Sequence, residues 1–255
     1  MIPSFISINM KVTEKQADPT GLETLDVIAK ANQFNLWMYS SITPYCQGNI
    51  LEVGSGIGNI SEYFLKNNSS IFLSDFRSEY CDNLRNNFGS FPTLLGVEQI
   101  DLVSESFDFS YSHLFNKFDT VFALNVLEHI QDHDQAIQNS KKLLKTGGRL
   151  IILVPAYPNL FCRFDEELGH YRRYTRKSLS QVIKINGFDI YKKFNFNLAG
   201  IAGWLLFGKI SKRKQIEQNE MGIFNRLVPV FKLLDIISFR AIGLSIIIIA
   251  TKSDQ

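Results

Sequence analysis

Cysteine is too scarce and too scattered in this chain to build a covalent framework. Only Cys46, Cys81 and Cys162 occur, and no two form a C-x-x-C pair. An odd, dispersed set excludes a disulfide scaffold and a cysteine zinc site, and it fits a reducing cytoplasm. Excess charge is also missing. The 27 basic and 25 acidic residues leave a net charge of +2, so no whole-chain field draws in nucleic acid, and no nucleic-acid partner is expected. Apolar runs of spanning length are absent as well. The two most apolar late segments, 198–208 and 241–250, fall well short of the roughly 20 residues a membrane-crossing helix needs. The start, Met1-Ile2-Pro3-Ser4-Phe5, carries neither a basic region nor a long apolar run, so a signal peptide is not expected.

What is present is ordinary globular material. The 255 residues are 45% hydrophobic and 20% charged, which suffices for one α/β domain with a normal core. Apolar residues recur at helical spacing from 20 to 40 (Leu22, Leu25, Ile28, Ala29, Phe34, Trp37, Met38), and Pro44 and Gly48 end that segment. Strands are predicted at 49–53, 71–75, within 94–102, at 118–124, 149–154, 188–194 and 244–251. Helices are predicted at 59–66, 79–88, 132–144 and from Thr175, as N-cap, to Ile185. Gly147-Gly148 is expected to stop the 132–144 helix through a left-handed C-cap. Strands alternating with helices imply a mostly parallel sheet covered on both faces. The whole reads as a single domain over 1–255. It comprises an N-terminal helical segment (20–47), a core (48–194), a helical insertion (195–243) and a final strand (244–252).

The most specific signal is Leu51-Glu52-Val53-Gly54-Ser55-Gly56-Ile57-Gly58, which leaves a strand and enters a helix. Glycines there let the backbone turn sharply and let a ligand approach. A dinucleotide fingerprint is G-x-G-x-x-G under a pyrophosphate. Here the spacing is G-x-G-x-G, and Asn59 stands where the last dinucleotide glycine would fall. Glu52, two residues before the first glycine, suits a cationic ligand better than a phosphate. This argues against a nicotinamide oxidoreductase and for S-adenosylmethionine, with S-adenosylhomocysteine as product. Asp75, ending the second strand with Phe76 beside it, is placed to accept from both ribose hydroxyls. Asp101 and Leu102, after the third strand, are placed to hold adenine.

Leu51–Gly58, Asp75, Asp101, Phe118-Asp119-Thr120-Val121, Leu124-Asn125-Val126-Leu127-Glu128-His129-Ile130 and Leu144-Lys145-Thr146-Gly147-Gly148-Arg149-Leu150 resemble, in order, the motifs of the class I S-adenosylmethionine-dependent methyltransferases. The nearest resemblance is to the small-molecule group that includes the ubiquinone and menaquinone biosynthesis enzymes. It covers about residues 48–194. It implies a Rossmann-like, doubly wound, seven-stranded sheet with one antiparallel strand. It also implies a cofactor lying over the first strands, against Glu52, Gly54, Ser55, Gly56, Gly58, Asp75, Phe76, Asp101, Leu102, Asn125 and Val126. Thr146 departs from the commoner proline.

Past the fifth strand, Tyr157, Arg163, His170, Tyr171, Arg173 and Tyr174 mix aromatic and basic character where an open sheet binds ligands. They are read as the acceptor side, with a solvated basic turn as the competing account. His129 and His170 are the candidate general bases, required only when the acceptor arrives protonated. No metal is expected: an acid-rich cluster would need a carboxylate at Asn125, which leaves Glu128 and His129 with His133 one turn on. The function expected is methyl transfer to a small-molecule or lipid-linked acceptor, the alternative being a non-catalytic cofactor- or partner-binding protein of the same fold. Between 198 and 240, apolar residues alternate with basic ones: Leu198 to Phe207 with Lys209, Lys212, Arg213 and Lys214, then Ile223 to Ile237 with Arg226, Lys232 and Arg240. That pattern suits helices lying in a membrane interface. Packing on the sheet, or against a second subunit, is the alternative, and the sequence assigns no oligomeric state. The expected location is the cytoplasm, at the inner membrane face if the interfacial reading holds.

Overall fold

In a computed structural model, residue 25 and residues 27–206 and 218–253 are described. Leu22, Phe207, Lys209, Lys212, Arg213 and Lys214, named above, lie outside the described residues, as does the Met1–Phe5 start. The elements follow the sequence pattern closely. Helix α1 is Asn32–Ile42, strand β1 Ile50–Val53, helix α2 Ser61–Lys66 and strand β2 Ile71–Asp75. Then come α3 (Ser78–Phe88), β3 (Leu94–Gln99), β4 (Phe118–Leu124), α4 (His133–Leu143) and β5 (Leu144–Pro155). Helices α5 (Arg163–Glu167) and α6 (Arg176–Ile185) precede β6 (Phe188–Phe196). Helices α7 (Ala199–Gly203) and α8 (Gln218–Ile237) precede β7 (Ser245–Lys252).

The strands form one seven-stranded sheet in the order β3-β2-β1-β4-β5-β7-β6. The β1–β2, β1–β4, β2–β3 and β4–β5 pairs are parallel, while β7 runs antiparallel to both β5 and β6. Alternate side chains feed two cores, as the two-residue period of a strand requires. Val53, Val121, Ile152 and Ile248 face one way, onto Ile137 of α4 and Ile183 of α6. Ile50, Phe122, Leu153 and Ile247 face the other, onto Trp37 of α1, Phe64 of α2 and Leu84 of α3. Thr175 caps α6 as its sequence suggests: its hydroxyl accepts from the Ser178 amide, and its amide and hydroxyl donate to Ser178 Oγ.

One expectation fails. Gly147-Gly148 does not end α4, which stops at Leu143 with Leu144 already extended. The glycines sit within β5, where the register slips from Phe118–Leu144 to Thr120–Arg149. Gly147 has φ +71°, so it supplies the kink of that slip rather than a helix cap. The long N-terminal helical reading is also cut: the regular turn breaks at Lys30–Ala31 before α1 begins.

Insertion residues hold to the sheet through a buried acid. Asp235 of α8 accepts from the Asn197 and Leu198 amides, both at 2.8 Å, where the chain leaves β6. Asn225 accepts from the Phe34 amide at 3.1 Å, and Phe224 packs edge-on against Phe34 at 5.6 Å. Helix α8 is thereby fastened to α1 on the same side of the sheet.

Candidate active site

Strand order reverses between β1 and β4, and in open α/β sheets that reversal opens a crevice beyond the carboxyl ends of the strands. A cavity of about 1770 Å³ occupies it. One wall is the glycine turn leaving β1. Gly54 has φ +73°, and a Cβ there would stand 2.4 Å from Cγ2 of Val126. Only glycine lets the ends of β1 and β4 approach so closely. Gly58, with φ +91°, does not reach the cavity; a Cβ there would meet the Phe88 ring at 2.3 Å. Its need for glycine comes from packing on α3.

Three acids line this wall. Asp75 accepts from the Gly56 amide at 2.9 Å and from the Arg77 amide at 3.0 Å, one carboxylate oxygen each. Burial nevertheless raises its pKa against those bonds. Glu52 is fully buried, accepts from the Ser61 hydroxyl, and is pushed by desolvation up to about 7. Asp101 accepts from the Val103 amide at 2.9 Å, and its own amide donates to the Tyr111 hydroxyl at 3.1 Å. Ser55, Gly56, Phe76, Leu102, Asn125 and Val126 complete the wall. Asn125 ends β4 in the left-handed region, at φ +55°.

The facing wall begins in the turn after β4. Glu128 has no exposed surface, and neither carboxylate oxygen has a hydrogen-bond partner. Desolvation pushes its pKa up to about 8. The His129 and His170 rings meet edge-on at 4.5 Å. His170 arrives from a loop tied to that turn by a bond from the Tyr171 amide to the Glu128 carbonyl at 2.8 Å. Behind it, Asp165 of α5 bonds His170 Nδ1 at 2.9 Å and accepts from Arg173 Nε at 2.8 Å. Burial works against ionisation of Asp165, but hydrogen bonds from His170 and Arg173, with the Arg173 charge, hold its carboxyl below the usual range. Arg173 also donates to the Ala156 carbonyl at 3.1 Å and lies 4.1 Å from the Trp204 ring centre.

The acceptor-side residues named from sequence therefore separate. His170, Tyr171 and Arg173 line the cavity, while Tyr157, Arg163 and Tyr174 do not. Tyr174 is a core residue, 2% exposed, with its hydroxyl 2.9 Å from His133 Nδ1. Arg163 pairs along its own helix with Glu167 at 3.3 Å. Tyr157 packs against the core at φ +61°. Arg173 reaches the cavity already neutralised by Asp165, so it is a brace more than an anion receptor. His133, weighed with Glu128 and His129, bonds instead to Tyr174 and, at 2.7 Å, to Arg172. Sequence reading missed Asp165, since an acid five residues before a histidine carries no pattern of its own. It also missed the contribution of distant helices: Asn35 and Met38 of α1, Trp204 after α7, and Met221 and Phe224 of α8 all line the cavity.

Residues 51–150 match a family model described as a methyltransferase domain. Among solved structures, the chain is similar to the CurJ carbon methyltransferase, at 15% identity and a TM-score of 0.54, over 89% of this chain and 55% of that one. It is also similar to phosphoethanolamine N-methyltransferase 2 of Haemonchus contortus, solved with S-adenosyl-L-methionine. There the identity is 16% and the TM-score 0.59, over 90% of this chain and 57% of that one. These likenesses show the fold. A curated relative is lovastatin nonaketide synthase mokA of Monascus pilosus, 25% identical over 119 residues, or 45% of this chain. The chain spans 4% of that relative's length.

Proposed function

We propose that this chain, which carries a methyltransferase domain on the class I fold, transfers a methyl group from S-adenosylmethionine to a small or lipid-linked acceptor. The observation that supports the reading best is the two-walled cavity. A glycine turn and carboxylates form one side, and a histidine pair with its own orienting acid forms the other.

The residues present fit the cofactor. Gly54, at φ +73° and with no room for a Cβ beside Val126, keeps the turn bare backbone where it borders the cavity. Asp75 spends one lone pair per oxygen on the backbone, which leaves acceptor capacity for a pair of hydroxyls. The Leu51–Gly58 turn contains no lysine or arginine, so it suits a sulfonium and not a pyrophosphate. Glu52, Gly54, Ser55 and Gly56 would hold the amino-acid end, Asp75 and Phe76 the ribose, and Asp101 and Leu102 the adenine. When bound, the cofactor supplies an activated methyl carbon, and the protein's task is position and electrostatics.

On the acceptor side, His170 is the better oriented base. Asp165 fixes its Nδ1 as the donor, so Nε2 keeps a lone pair for an acceptor proton. His129 stands beside it as the second base. Phe164 and Trp204, whose rings meet edge-on at 4.9 Å, line the cavity with Tyr171 near that pair. Incubating the protein with a cell extract and methyl-labelled S-adenosylmethionine, then reading products by mass spectrometry, identifies the acceptor. A labelled product that disappears with His170→Ala, while S-adenosylhomocysteine still binds, supports the assignment. Absence of any labelled product leaves the non-catalytic reading in its place.

The exposed side of α8 supports an amphiphilic acceptor. Ile223, Leu227, Val230, Leu233, Ile236 and Ile237 are all exposed there, while Met221 and Phe224 of the same helix line the cavity. Among the described residues, no helix is long and apolar enough to cross a membrane. Lying in the interface, beside Arg226 and Lys232, is the membrane contact its composition suits. A lipid-carried acceptor could then pass from the surface to the cavity along one helix.

A further inference from the structure

Glu128, His129 and His170 present a carboxylate oxygen and two imidazole nitrogens, all within 4.8 Å of one another. Two of these residues came from one motif after β4. The third came from a loop 41 positions later, brought over by the Tyr171–Glu128 backbone bond. Sequence reading set a metal aside because Asn125 stands where the cluster's first acid would be; His133, weighed beside Glu128 and His129, bonds Tyr174 and Arg172 instead.

We propose that these three side chains bind a divalent transition-metal ion at the acceptor end of the cavity. Three independent features support it. The first is the donor set: two neutral imidazoles and one carboxylate are the ligands of open zinc and non-haem iron sites, which leave positions for an external oxygen. The second is Glu128 itself. A wholly buried carboxyl group with neither oxygen hydrogen-bonded is rare in folded proteins, because its lost hydration is not replaced. A cation among the three groups supplies the missing partner. The third is the support behind the site. Asp165 holds His170 by Nδ1, the carboxylate–histidine arrangement that orients a ligating imidazole. Arg173 in turn fixes Asp165.

The dimensions suit a small ion. Bonds of about 2.1 Å in tetrahedral geometry hold ligands roughly 3.4 Å apart, so groups within 4.8 Å of one another need close by no more than about 1.4 Å. Exclusively oxygen-seeking cations, magnesium and calcium, are disfavoured by the two imidazoles, whereas zinc, cobalt, iron and manganese are accepted. Glu128, His129 and His170 all line the cavity, so an ion they held would be within reach of a molecule bound there. An acceptor carrying a hydroxyl, phenol or enol oxygen would complete the ion's coordination. That oxygen would lose its proton to bulk water more readily and be held facing the cofactor wall. The two histidines would then serve as ligands and would no longer take the acceptor's proton themselves. Metal binding rests on side-chain geometry alone; only this use of the ion rests on the methyl-transfer reading.

The test reads metal binding directly. Protein stripped with a chelator is titrated with Co²⁺ and with Zn²⁺, by calorimetry and by the visible spectrum of cobalt. One ion per chain is expected, with cobalt bands of a nitrogen–oxygen site. Glu128→Gln, which keeps the side-chain shape, and His170→Ala should each weaken binding about tenfold or more, while His133→Gln leaves it unchanged. S-adenosylhomocysteine affinity, measured on the same samples, checks that each variant is folded and tests the cofactor reading separately. In the wild type, Zn²⁺ should move the ring resonances of His129 and His170 and spare those of His113 and His133. No saturable binding of either ion, equal binding by Glu128→Gln, or shifts at His133 instead of His170 would overturn the proposal.

Discussion

Asp75 is a single carboxylate with two tasks, and they can be separated. Its bonds to the Gly56 and Arg77 amides shape the turn before any ligand arrives. Asp75→Asn keeps the volume but loses the charge and, since each oxygen accepts one amide, one of the two backbone bonds, whereas Asp75→Ala strands both amides and the ligand's hydroxyls. By calorimetry, Asp75→Ala should weaken S-adenosylhomocysteine by about 1–3 kcal/mol, and NAD should not compete; unchanged affinity would remove Asp75 from the site. Glu52 makes a different prediction. Its folded pKa, about 7, lies above its ordinary value. The folded state therefore holds a proton that the unfolded chain releases between about pH 4.5 and 7. Stability from this group is complete below that window and is lost as pH rises through about 7. Thermal or urea unfolding from pH 5 to pH 8 should show the wild type losing about 2 kcal/mol more than Glu52→Gln. Equal pH dependence in the two proteins would show that Glu52 ionises freely. Both acids were visible in the sequence, because a strand-end acid and an acid before a glycine turn sit at fixed offsets from a motif. Glu128 was visible as a letter, but not its orphaned carboxylate, since burial and missing partners emerge only when distant segments pack.

The segment from α5 to Arg173 works as a brace. Asp165 and Arg173 are both buried and joined at 2.8 Å, and Trp204 covers the guanidinium. Arg173→Ala leaves a buried carboxylate without its main counter-charge, and such a break costs about 3–5 kcal/mol. A large fall in unfolding free energy is therefore expected, with turnover lost as a consequence of disorder in the loop. If Arg173→Ala unfolds like the wild type yet fails to turn over, the residue is an acceptor contact and the brace assignment is wrong. This reverses the role that composition alone suggests, in which arginine among tyrosines reads as an anion receptor. Periodicity located β1, β2, β4 and β5 because buried parallel strands are short apolar runs with sharp ends. It misplaced the end of α4, because a glycine pair carries the same local signal whether it caps a helix or kinks a strand. Only the partner strand β4 decides between them.

At the scale of the whole molecule, the exposed side of α8 groups many of the exposed large apolar residues among those described. Phe239, just past the helix, is 91% exposed. Sedimentation with anionic vesicles at low salt should bring down the wild type but not Leu233→Glu/Ile237→Glu, and raised salt should weaken the interaction without abolishing it. Equal sedimentation of both proteins would exclude α8, and a dimer broken by the same substitutions would assign the face to a second copy. The placement of β7 has a separate effect, on how the protein is made. Strand β6 pairs with β7 alone, and β5 takes β7 as its second neighbour. Residues 197–244 must be synthesised between β6 and the strand that receives it. A nascent chain therefore carries β6 as a nine-residue ribbon with no hydrogen-bonding neighbour while translation, at about 5–20 residues per second, covers the gap. For those few seconds β5 offers an open edge to any extended peptide nearby. Slow codons or a premature stop in that stretch would lengthen the exposure, making the interval before β7 emerges the point at which this fold is most open to chaperones and to aggregation.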